Sequence, residues 1–245
     1  MELTRVRRDA RDWPQDQLEA LFRDGFPPFI VADVDAERML PEIGESFADL
    51  DVFLLDGDGV VVAGGWGVAL GWDESVEDLP TGYTDSLRRA LRDRADGRAP
   101  DTFVLCAGIV RPDRHGRGLA ADLVTSLCDL AEERGLAQVI APVRPTLKPR
   151  YPLTPIDEYV TWTREDGSPL DPWLRTHLRI GGRILATAPR SQVMTGTVAQ
   201  WEGWCSMAFP ASGDYVIPDG LSVLTVDRDQ DLGTYVEPNV WVRHR

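Results

Sequence analysis

The stretch VLCAGIVRPDRHGRGLAADLV, residues 104–124, decides the fold. It opens as an apolar strand, crosses Arg111, Arg114, His115 and Arg117 with Gly116 and Gly118 among them, and continues into a helical pattern. A strand that empties through a glycine-bearing turn into a helix N-terminus offers several free amides at the positive end of a helix dipole. Such a turn suits an anionic group, usually phosphate. Thr102–Val110 is apolar throughout, as expected of a strand buried on both faces. Leu119, Leu123, Leu127, Leu130 and Ala131 then repeat on one helical face, Gly135 ends the helix, and Ala137–Val143 reads as a second strand. Strand, helix and strand with short connections make a βαβ unit, so the two strands are expected to be parallel neighbours.

Upstream, PQDQLEALFRDG reads as a short helix stopping at Gly25, and DAERMLPEIGESF as a helix interrupted at Pro41. Apolar runs at Val52–Leu55 and Val60–Ala63 flank Asp56-Gly57-Asp58-Gly59, a hairpin signal. Thr84–Arg94 reads as a polar helix. Downstream, residues 144–171 carry Pro145, Pro149, Pro152, Pro155 and Pro169 and are expected to form a lid-like irregular segment. Asp171 and Pro172 start a short capped helix that ends in Gly181 and Gly182. RILATA, YVIP, LSVLTV and NVWVRH read as strands and VAQWEGWCSM as a helix. No linker sets residues 189–245 apart, so the expectation is a single domain over 1–245.

The chain has 245 residues and a formal net charge of −14, which argues against a nucleic-acid partner. Against that background the four basic residues of 111–117 stand out. Three scattered cysteines and three histidines offer neither a disulfide framework nor metal-ligand spacing, so no metal is expected. No apolar run approaches ~20 residues, and MELTRVRRDARDW lacks the apolar core of a signal peptide; a cytoplasmic protein without a membrane partner is expected.

Gly116 to Ala121, GRGLAA, satisfies the dinucleotide pattern G-x-G-x-x-A, but the next strand ends IAPVRP without the carboxylate that would hold a ribose. No Gly-Lys-Ser/Thr follows either. The stretch VRPDRHGRGLA resembles the signature of the GNAT superfamily of acyl-CoA-dependent N-acyltransferases: a strand, Arg/Gln-x-x-Gly-x-Gly/Ala, then a helix. His115 stands where the family has Arg or Gln, with Arg114 just before it. The resemblance is strongest over residues 102–143. It implies an α/β fold with a mixed, mostly antiparallel central sheet flanked by helices, a βαβ CoA-binding unit over about 102–144 and a C-terminal extension. It implies acetyl-CoA or another acyl-CoA as co-substrate. Its diphosphate would lie on the amides of His115, Gly116, Arg117, Gly118, Leu119 and Ala120, flanked by Arg114 and Arg117. Its pantetheine arm would pair like an extra strand with Ala107, Gly108, Ile109 and Val110, where Gly108 suits a bulge or close approach.

The activity implied is transfer of an acyl group, acetyl first, to the amine of a small molecule by direct attack. In the family a Tyr four residues before the glycine closing the downstream helix serves the leaving thiolate. Counting back from Gly181 lands on His177, which can donate a proton near neutral pH or simply pack beside Trp173. Tyr151 and Tyr159 are further donors. The motif strand holds no carboxylate, so Asp73 and Glu74, and after them Glu158, are the candidate bases. Arg144, Lys148 and Arg150 would favour an acidic group, whereas the overall charge favours a cationic acceptor. Other chemistry on a CoA thioester, such as malonyl-CoA decarboxylation, stays open, as do acyl-CoA binding without turnover and a homodimer.

Overall fold

The βαβ unit forms where expected in a computed structural model that describes residues 3–13, 18, 21–22 and 25–244. The helix expected over PQDQLEALFRDG falls largely outside these residues. The strands are β1 (Thr4–Arg7), β2 (Val52–Leu55), β3 (Val61–Leu70), β4 (Thr102–Val110), β5 (Gln138–Val143), β6 (Arg183–Gly196), β7 (Gly213–Val216), β8 (Val223–Asp227) and β9 (Leu232–Arg243). The helices are α1 (Val34–Ser46), α2 (Tyr83–Ala95), α3 (Leu119–Glu133), α4 (Ile156–Tyr159), α5 (Pro172–Arg179) and α6 (Val198–Cys205). One mixed sheet runs β1-β2-β3-β4-β5-β9-β8-β7, with β6 on β9. Each described pairing is antiparallel except β4 with β5.

The apolar stripe of α3 explains its seat. Leu119, Leu123, Leu127 and Leu130 are all at most 3% exposed, and the helix lies across β3 and β4. Its end is a Schellman turn: the Gly135 amide donates to Glu132 O at 2.9 Å and Leu136 to Ala131 O at 2.9 Å. A Cβ on Gly65 would collide with Leu127, while one on neighbouring Gly64 would collide with Phe53 and Leu21. Alternate strand positions face opposite ways, so α3 covers one face. Trp66, sharing the side of Gly64, meets Tyr83 of α2 edge-on at 6.2 Å on the other.

Three expectations are corrected. First, α1 runs unbroken through Pro41. Asp33 caps it by accepting from Ala36 N at 3.0 Å, and Ala36 and Ile43 bury one stripe. Pro41 sits on the exposed side with Glu37, whose carbonyl is left to solvent, so packing outweighs the ~3 kcal/mol proline penalty. Second, the bulge in β4 falls at Cys106, where the register with β3 slips between Trp66 and Gly67, and not at Gly108. Third, residues 144–171 form a packed brace in place of a lid. Lys148, Ile156 and Tyr159 are buried. Lys148 Nζ donates to Leu221 O at 2.5 Å and Tyr151 O at 2.7 Å. Asp171 accepts from Leu147 N, the Tyr159 hydroxyl, Trp173 N and Leu174 N. The prolines break regular structure, but the buried polar groups of Lys148, Tyr159 and Asp171 find partners inside the fold.

The C-terminal part joins the sheet through β9. One edge of β9 pairs along its length with β6, while β5 and β8 pair with its opposite ends. Residues 236–239 between those ends are therefore opposed by β6 alone. A separate core around Trp201, Phe209 and Tyr235 fills the space under α6 and takes in Phe29 and Ala32 from the turn before α1. That contact ties the N-terminal segment across the sheet. No described helix is long and apolar enough to cross a membrane.

Candidate active site

β4 and β5 pair only from Thr102 with Gln138 to Val104 with Ile140. Beyond that point β4 continues to Val110 against β3, while β5 continues to Val143 against β9. The two parallel strands splay, leaving the β5-facing edge of Ala107, Gly108, Ile109 and Val110 without a strand partner. At the end of that edge lies the basic loop. Gly116 and Gly118 take φ of 76° and 84°, a left-handed conformation that side chains strain to adopt. The amides of Gly116, Arg117 and Gly118 meet no protein acceptor among the described residues, and those of Leu119 and Ala120 open the first turn of α3, where no intrahelical acceptor exists. Five consecutive donors at a helix N-terminus are thus left without a protein acceptor among the described residues.

The loop's cations have different duties. Arg114 bonds Asp56 at 3.2 Å and Arg111 bonds Asp113 at 3.0 Å. His115 Nε2 contacts Val110 O at 2.9 Å, which pins the loop to the strand end. Arg117 is exposed and has no carboxylate partner among the described residues. It is the loop cation left for an anionic ligand.

On the face opposite α3, a cavity of about 920 Å³ lies beneath α1 and α2 and reaches the splay at Cys106, Ala107 and Pro142. Its walls are largely apolar, and its charged members are Arg8, Asp33, Glu37, Asp51, Arg144 and Glu237. Arg144 Nε pairs with buried Glu237 at 2.8 Å, and the Tyr235 hydroxyl donates to Glu237 at 2.9 Å. Asp33 is occupied by the amide of Ala36 and the hydroxyl of Thr84. Asp51 stands apart. The residue before Val52, which pairs with Gly65, it lies level with Trp66 and hence with Ala107 of β4. It is 7% exposed and accepts one bond from Arg8 at 3.2 Å. Burial pushes its carboxyl up to about 7, against the pull of Arg8, with Asp49 and Asp9 adding to the rise. A carboxylate poised there takes and returns protons near neutrality. Two neutral hydrogen donors share the cavity. Burial raises the Cys106 thiol far above its ordinary value, and it does the same for the Tyr83 phenol, where the nearby Asp33 carboxylate adds to the rise.

The residues singled out from sequence separate into two groups. Ala107–Val110 and His115–Ala120 come together along the splay and its loop. Arg114 borders them while paired to Asp56. Asp73 and Glu74 follow Leu70, which pairs with Thr102 at the opposite end of β4 from the loop. There Glu74 bonds Arg243 at 2.7 Å and Gln138 at 3.1 Å, a structural network outside the cavity. His177 is 0% exposed. Its Nδ1 meets His244 Nε2 at 2.8 Å, its ring stacks edge-on to Trp173, and burial, then His244, pull it down to about 3. A histidine that stays neutral in the core is a poor proton donor. Tyr159 is committed to Asp171. Among the described residues no cluster of three or more His, Cys, Asp or Glu could hold a metal. Asp51, Glu237 and Asn239 went unnoticed in the sequence. A lone carboxylate before a strand carries no periodic signal, although Glu237 inside an apolar strand is a clue.

The fold matches solved structures over nearly the whole chain. The loading GNATL domain of CurA from Lyngbya majuscula aligns over 99% of this chain and 96% of its own at a TM-score of 0.59 and 16% identity. The GphF GNAT-like decarboxylase in complex with isobutyryl-CoA aligns over 100% and 98% at 0.53 and 16%. No family model matches. In sequence, arginine N-acetyltransferase avaD of Aspergillus versicolor is 32% identical over 190 residues, 69% of this chain and 66% of that protein. The chain thus spans just under two thirds of that relative's length. It belongs to the GNAT superfamily.

Proposed function

We propose that this protein transfers an acyl group, acetyl first, from CoA to a nitrogen of a basic small molecule. The observation that carries the reading is the continuity of the site. A loop of unpartnered amides leads along an unpaired strand edge, through the splay, to a cavity holding a buried carboxylate poised near neutrality. The amides of Gly116 to Ala120 with Arg117 would take the diphosphate. The free edge of Ala107–Val110 would take the pantetheine arm as an added strand. The acceptor enters from the α1–α2 face. As its nitrogen attacks the thioester carbonyl carbon, Asp51 takes the nitrogen's proton, the carbon–sulfur bond breaks, and the thiolate leaves with a proton. Tyr83, whose hydroxyl meets no hydrogen-bond partner among the described residues, supplies that proton and regains one from solvent. Arginine, named for the avaD relative, agrees with an acceptor site whose charged residues are two arginines and four carboxylates.

The test is release of free CoA thiol from acetyl-CoA with L-arginine, agmatine and other amines. Amine-dependent release that falls about 10²-fold or more in Asp51→Asn is expected, the ordinary contribution of a general base. Acetyl-CoA held intact with every amine, or carbon dioxide lost from malonyl-CoA without an acceptor, would overturn the reading.

A further inference from the structure

The cavity is larger than its proposed chemistry needs. Sites for drug-sized ligands occupy roughly 300–1,000 Å³, and the 920 Å³ here lies toward the top of that range. The part of this volume beyond Cys106, Ala107 and Pro142 belongs to the acceptor side, because the loop and the unpaired strand edge place the CoA chain along the splay. A small amine or free amino acid would leave most of it to water, against walls that reward apolar contact.

The lining mixes aromatic and apolar walls with carboxylates. Asp51 stands level with Trp66 and Ala107 across the sheet. Phe47, Ile43 and Trp204 add apolar walls, and Leu40 and Val31, 40% and 66% exposed, lie where the cavity meets solvent. Glu37 on α1 is exposed at the same mouth and has no cationic partner among the described residues. Aromatic walls beside carboxylates suit a cation joined to a flat apolar body. Gly44, on the buried side of α1 between Ile43 and Phe47, adds to the space. A Cβ there would meet nothing within 4 Å.

Resting on the acyl-transfer reading, we propose that the acceptor is amphipathic: a basic nitrogen carried on a bulky, aromatic or similarly flat apolar body of drug size. Free arginine is then a fragment of the true acceptor. The basic end approaches Asp51, and the apolar body fills the space toward Phe47, Trp204 and the rim.

L-Argininamide and L-arginine β-naphthylamide test this, since they share the amine and guanidinium and differ by the bicyclic ring. Binding is measured by calorimetry on the whole chain, and thiol release from acetyl-CoA is followed with each. The naphthylamide is expected to bind at least tenfold tighter, and Gly44→Leu, which fills the cavity while favouring the helix, is expected to collapse that ratio toward one. Equal binding of the two amides by the unaltered protein, or a tenfold preference that Gly44→Leu leaves intact, would overturn the proposal. The binding result stands apart from catalysis. Preferential naphthylamide binding without thiol release would support the amphipathic site and refute acyl transfer, whereas turnover of both amides with equal affinity would do the reverse.

Discussion

Asp51→Asn should make the protein more stable above neutral pH while disabling it. The carboxyl moves from an ordinary 3.8 to about 7 because burial penalises its charge. Between those values the folded protein holds a proton that the unfolded chain has released. This contribution to stability is fully present below 3.8 and is lost as pH rises through about 7. Three pH units at 1.36 kcal/mol each set its size at about 4 kcal/mol. Asparagine keeps the shape, never charges, and leaves Arg8, whose side chain is 47% exposed, to solvent at little cost. Urea unfolding of both proteins at pH 5 and pH 8 isolates the effect, because other titrating groups cancel in the difference. The variant should gain about 2.7 kcal/mol on the parent between the two conditions, the two pH units from 5 to about 7. In the same protein kcat/KM, which in the parent should rise through pH 7, should fall about 10²-fold or more. A difference independent of pH, or a variant less stable at pH 8, would mean that Asp51 is a charged partner of Arg8 and cannot serve as the base.

Gly118→Val forces a side chain into φ of 84°; CoA affinity by calorimetry should fall at least tenfold, and unchanged affinity would remove the loop from the site. Arg117→Ala should weaken CoA about five- to tenfold, with a reduced salt dependence. Arg114→Ala should instead lower stability by about 1–3 kcal/mol in urea unfolding, since it strands buried Asp56. His177→Asn should largely retain amine-dependent turnover; a hundredfold loss without loss of stability would return proton donation to that residue. His177 sits at about 3 in the fold against an ordinary 6.5, so the unfolded chain binds the extra proton and stability should fall as pH drops through that window. Urea titrations should show a shallower slope in a His177→Leu variant than in the parent, the remainder coming from His244, which burial also pulls down, to about 4.

The βαβ unit was legible because each of its signals is local: an apolar strand, two loop glycines, one heptad-like stripe and a glycine stop. Thr102–Val110 and the start at Leu119 emerged with the expected bounds. The surroundings of the proposed base were not legible, because they depend on distant segments meeting. Asp51 acquires its character from β3, β4 and Arg8, none of them near it in sequence except β3. Asp73 and Glu74 are carboxylates following a strand, but the antiparallel run of β3 against β4 carries them to the end of β4 away from the glycine loop. His177 kept its place in the counting pattern, yet Trp173 and His244 close over it. Pro41 misled for a related reason: a local penalty was set against the burial of a whole helix face, and the burial won.

β9 is the strand on which both halves of the sheet meet, and it is made after all the others. While the chain is being synthesised, at about 5–20 residues per second, β5 has β4 on one side and nothing on the other until β9 emerges. Its sequence, QVIAPV, is apolar enough to invite a second nascent chain onto that edge. Val139 O accepts from His244 N, so Val139, Ala141 and Val143 turn their polar groups to this edge, and Pro142 turns toward the splay and leaves the edge's donors in place. Closure of the sheet is therefore a late event with distant partners, the kind of topology that folds slowly.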